Sequence, residues 1–140
     1  MTSLLPALLF KKRRQQLMQK IGDDAVVIIP AATHHYRNRD THYSYRQDSD
    51  FYYLTGFNEP NAVLVLAPGH PEGETILFCQ PKDKTAEIWD GYRVGPEGAV
   101  KKYGMNLAHV IAELDEKIIQ WISGRDKIIY PMGRDTLFDQ

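Results

Sequence analysis

Cysteine is almost absent from this 140-residue chain: Cys79 stands alone, so no internal disulfide can form. A single cysteine suits a reducing compartment, and a cytoplasmic protein is expected. Long hydrophobic runs are lacking as well. None approaches the ~20 apolar residues that a membrane span requires, so no membrane partner is expected. The first apolar run, residues 4–10, is followed by the basic cluster Lys11, Lys12, Arg13 and Arg14. A secretory signal has the opposite polarity, and none is expected here. Nor does charge of one sign prevail: 17 Lys and Arg face 18 Asp and Glu, for a net charge of −1. Nucleic-acid binding would therefore need a local patch. The four basic residues splay about 100° apart on a helix and form no single stripe. They read as a solvated helix face, and no nucleic-acid partner is expected.

Several catalytic signatures are missing too. Gly91, Gly95 and Gly98 form neither a Walker loop nor a dinucleotide fingerprint. No Ser or Cys sits in a nucleophile elbow. His34, His35 and His42 cluster near Asp40, but their spacing matches no metal-ligand motif, and adjacent residues of an extended chain point to opposite faces. They read as loop histidines, and no metal is assigned to the chain. His70 and His109 are isolated and expected to be exposed. Cys79 closes an apolar strand and reads as a packing residue.

What is present is a globular composition, 43% hydrophobic and 25% charged, at the length of one domain. A first helix is marked by Phe10, Leu17, Met18 and Ile21 on one face, with Gly22 to end it. Residues 25–29 are a continuous apolar, mostly β-branched run, which predicts a strand buried on both faces. Residues 51–57 predict a second strand. Residues 62–66 and 75–78 predict an antiparallel pair. Pro96 opens a short helix ending at Gly104, and Asn106 is placed to cap a long helix whose stripe runs through Leu107, Val110, Ile111, Leu114, Ile118, Trp121 and Ile122. Residues 127–130 predict a fifth strand. The pattern is an α/β sandwich with a mixed sheet.

Two polar, aromatic segments remain: residues 40–60 and 85–95. In the first, Arg46, Asp48 and Asp50 are costly to hide unless paired, which favours an internal network fixing the chain path. Asp40 precedes that network and could face outward. In the second, Trp89 divides evenly between core and contact surface on composition alone.

The runs Tyr45-Arg-Gln-Asp-Ser-Asp-Phe-Tyr-Tyr-Leu-Thr-Gly-Phe-Asn-Glu-Pro60, Ala62-Val-Leu-Val-Leu66 and Thr85-Ala-Glu-Ile-Trp-Asp-Gly91 together resemble the N-terminal domain of Xaa-Pro aminopeptidases (aminopeptidase P), in the creatinase/prolidase superfamily. The resemblance extends over roughly residues 10–140. It implies a ribonuclease-H-like three-layer sandwich with a mixed sheet of about six strands. It implies that residues 1–140 are this N-terminal domain, inactive alone, and that the pita-bread catalytic domain is absent from this chain, which would end where the linking helix begins. That domain would hold two divalent metals, often manganese, and remove an N-terminal residue preceding proline. The implied partners are the chain's own catalytic domain, neighbouring subunits of a homo-oligomer, and peptides with a penultimate proline. The implied substrate-binding residues are Trp89 and Asp40, and the implied structural network is Tyr45, Arg46, Asp48 and Asp50. An alternative reading is a non-catalytic peptide- or protein-binding module of the same fold.

Overall fold

The computed structural model describes residues 4–32 and 47–130. Its spine is a mixed sheet in the order β4-β3-β2-β1-β5. The strands are β1 (Ala25–Pro30), β2 (Val63–Leu66), β3 (Thr75–Cys79), β4 (Leu107–Val110) and β5 (Lys127–Ile129). β1 pairs antiparallel with β2, and β2 with β3, the second pairing as the sequence pattern predicts. β4 joins β3 in parallel, and β5 joins β1 in parallel. The helices are α1 (Leu4–Ile21), α2 (Ser49–Thr55), α3 (Lys84–Asp90), α4 (Gly95–Tyr103), α5 (Leu114–Lys117) and α6 (Ile119–Ile122), with a 3₁₀ turn at Ile111–Glu113.

Strand side chains alternate between the two faces. Val27, Ile29, Leu64, Leu66, Leu77 and Cys79 meet Met18 of α1, Phe51 and Leu54 of α2, and Ala99 of α4. Val26, Ile28, Val65, Ile76 and Phe78 meet Trp121 of α6, flanked by Ile111, Leu114, Ile118 and Ile122. Two cores on opposite faces of one sheet make the expected α/β sandwich. The described residues supply five strands of the approximately six expected.

Several elements differ from their sequence reading. Residues 51–57 are not a strand. Asp48 caps α2 by accepting from Phe51 N at 2.9 Å, and Gly56 closes it at φ 70°, donating to Tyr52 O. A Cβ on Gly56 would overlap the Phe10 ring. The stripe from Leu107 is not one long helix. It starts as β4 and continues as a 3₁₀ turn and two single-turn helices. The spacing found the buried face, but pairing of Ile76 with Leu107 overrode helix formation at its start. Asn106 caps no helix. Its Oδ1 accepts from Glu74 N, Thr75 N and Thr75 Oγ1 at 3.0–3.1 Å, and its backbone N donates to Thr75 Oγ1, tying β3 to the turn before β4.

Arg14 is not solvated. It is fully buried and donates to Leu54 O at 2.8 Å and Tyr103 O at 3.1 Å. His70 and His109 are half-buried rather than exposed, packed at 5.8 and 5.9 Å from the Trp121 ring. His34, His35 and His42 lie outside the described residues.

Candidate functional site

The second polar segment folds into a projecting helix, α3. Asp83 caps it, accepting from Thr85 N and Ala86 N at 3.0 and 3.2 Å. Gly91 ends it, donating to Glu87 O with φ 101°. None of its described residues is buried. Ile88 and Trp89 are 76% and 83% exposed, and Tyr92 just beyond is 63% exposed. An exposed Trp beside Ile and Tyr is the composition of a contact hot spot.

A polar clasp holds this projection at its base. Glu87 turns beneath the helix, and its Oε1 accepts from Arg93 N and from Lys82 Nζ, each at 3.1 Å. Lys82 Nζ also donates to Arg93 O at 2.6 Å and lies 4.0 Å from the Tyr92 ring centroid. Arg93 Nη1 donates to Pro81 O at 3.3 Å. The residues entering α3 are thus bonded to those leaving it. Glu87 is held below the ordinary carboxylate range, first by the Arg93 amide and then by Lys82.

The clasp is joined to the first polar segment through Glu59. Its Oε2 accepts from Val94 N at 2.8 Å, and burial raises its pKa against the opposing pull of that bond and of Arg93 and Lys82. The Glu59 carbonyl in turn accepts from Gln47 Nε2, and Gln47 Oε1 accepts from Ala32 N at 2.8 Å. Gln47 therefore bonds the two described ends that flank residues 33–46.

Of the sequence-predicted residues, Trp89 lies at the tip of α3. Asp48 caps α2, and Asp50 lies in its first turn beside a groove shared with Arg13 and Lys20 of α1. Asp40, Tyr45 and Arg46 lie outside the described residues. Sequence reasoning missed Gln47, Glu59, Lys82 and Glu87. The first two sit inside the 45–60 motif, which was a usable signal; the Lys82–Glu87 pair has no standard helical spacing.

Among the described residues, no three His, Cys, Asp or Glu side chains come together as a metal site. They do not fit the two divalent metals implied by the sequence resemblance. Cys79 is buried, its thiol pushed up to about 12 first by that burial, which suits packing rather than nucleophilic attack. Among the described residues, no helix is long and apolar enough to cross a membrane.

These features define a class: a three-layer α/β domain that presents a helix with exposed aromatic and apolar side chains. Residues 10–130 match the family described as "Aminopeptidase P, N-terminal domain", and the chain belongs to that family. It is 40% identical over 104 residues to the Xaa-Pro aminopeptidase of Escherichia coli K12, covering 74% of this chain and 24% of that protein. It is 34% identical over 106 residues to human Xaa-Pro aminopeptidase 3, covering 73% of this chain and 21% of that protein. The Pseudomonas aeruginosa aminopeptidase PepP structure superposes with a TM-score of 0.90 at 44% identity, covering 96% of this chain and 30% of that one. The chain thus spans about a fifth to a third of the length of these relatives.

Proposed function

We propose that this chain is the assembly and substrate-gating domain of a metal-dependent Xaa-Pro aminopeptidase, which removes an N-terminal residue preceding proline. The observation that carries the reading is Trp89, almost fully exposed on a capped helix that the core does not cover. An apolar side chain left in water gains by being covered, and tryptophan brings a large contact area at low entropic cost. In this reading residues 1–140 act as the N-terminal domain. Trp89 meets the substrate cleft of the assembled homo-oligomer, and Asp40 adds an acidic group at the same cleft. Hydrolysis and its two divalent metals, manganese by preference, belong to a catalytic domain outside this chain. The chain alone is inactive. A cytoplasmic setting accords with a lone, buried cysteine.

The test uses the natural full-length protein and a peptide with a penultimate proline. Trp89→Ala is expected to raise KM or impair cleavage while bound metal, measured by elemental analysis, stays unchanged. Asp40→Asn is expected to behave alike. Loss of metal in either variant, or unchanged kinetics in both, overturns the gating role.

A further inference from the structure

We infer that Glu87 is the positioning residue for Trp89, acting with Lys82 as a latch that fixes how α3 stands on the domain. The inference rests on the proposed role of Trp89 and adds what governs its placement. Because no described residue of α3 is buried, the hydrophobic core cannot orient the helix. Orientation must come from the segments that enter and leave it. These meet at one carboxylate oxygen: Glu87 Oε1 takes the Arg93 amide from the exit and the Lys82 ammonium from the entry. The Lys82–Arg93 O and Arg93–Pro81 O bonds close the same ring.

Glu87 is only 15% exposed in its side chain, whereas Lys82 is 48% exposed. The carboxylate is the sheltered centre of the clasp, and the lysine closes it from outside. Glu87 and Trp89 are two positions apart on one short helix, so they project in different directions. Glu87 faces the domain while Trp89 faces away. A rotation of α3 about its base moves Trp89 without disturbing either core. An isolated seven-residue helix is itself marginal in water, so loss of the latch also frays it.

The experiment compares Glu87→Ala, Glu87→Gln, Trp89→Ala and the double Glu87→Ala/Trp89→Ala variant in the natural full-length protein. Glu87→Ala is expected to reproduce most of the KM rise of Trp89→Ala, on the order of three- to tenfold, with kcat and thermal midpoint little changed. Glu87→Gln, which keeps an oxygen for the Arg93 amide, is expected to fall between. The double variant is expected to be no worse than Trp89→Ala alone, because a latch has nothing to position once the indole is gone. Hydrogen exchange at the Arg93 and Gly91 amides is expected to quicken in Glu87→Ala while strand amides stay protected.

Additive losses in the double variant, or unaltered exchange at Arg93, overturn the inference. Should Glu87→Ala fail to fold, Glu87→Gln gives the same two readouts. If Trp89→Ala leaves cleavage untouched, Trp89 has no part in gating. The exchange measurement then decides the latch separately.

Discussion

The guanidinium of Arg14 donates to the carbonyl of Leu54, forty positions along the chain, at 2.8 Å. Its other arm reaches Tyr103 O at 3.1 Å. One buried cation thereby closes the C-terminal ends of α2 and α4, where helix dipoles concentrate negative charge. Burial lowers its pKa to about 10, so it stays charged at neutral pH.

Replacing Arg14 is therefore expected to cost more than losing a surface charge. Arg14→Met leaves buried carbonyls without donors and is expected to destabilise by about 2–5 kcal/mol. Arg14→Lys, with a point ammonium in place of a planar fork, is expected to recover only part of this. Urea denaturation midpoints measure both. A cost below about 1 kcal/mol for Arg14→Met would show that the two helix ends find other donors.

Gly56 and Gly124 offer a paired comparison. Both hold positive φ, 70° and 78°, and an alanine at either pays about 1–2 kcal/mol for the left-handed backbone. At Gly124 a Cβ meets nothing within 4 Å, but at Gly56 it meets the Phe10 ring. Gly56→Ala is expected to be the more destabilising, and Phe10→Leu to relieve part of the excess. Equal costs for the two glycines would contradict the packing account.

His109 gives the fold a pH dependence of known sign. Its pKa is lowered, first by burial against Phe78 and Trp121 and then by Lys117, while Glu113 opposes at 3.8 Å. The folded state prefers the neutral ring, so the unfolded chain takes up the proton first. Stabilisation is full above about pH 6.5 and is lost as pH falls through the lower folded value. Melting temperatures between pH 8 and pH 5 are expected to fall less in His109→Gln than in the parent. An equal fall would remove His109 as the cause.

Much of the architecture was legible in the sequence because the central strands are buried on both faces and read as unbroken apolar runs. β1 and the β2–β3 pair are of this kind. α2 was misread because Phe51, Tyr52 and Tyr53 favour strands, although its caps, Asp48 and Gly56, were visible. Arg14 could not be read from its neighbours, since burial depends on helix ends that arrive 40 and 89 positions later. Trp89 was undecidable for a similar reason: whether an indole is covered depends on what else packs there. The clasp beneath it escaped notice because Lys82, Glu87 and Arg93 each look like ordinary surface charges.

Among the described residues, the sheet places its first strand beside its last. Arg125 Nη1 bonds Ala25 O across 100 positions, where β5 docks on β1. On the ribosome, β1, β2 and β3 emerge and can pair well before β5 exists. Until then the nascent sheet carries an open β1 edge, whose unpaired backbone N–H and C=O groups are a ready template for another chain. β5 then covers that edge with a strand of only three residues, and so short an edge offers a partner chain few backbone groups to pair with.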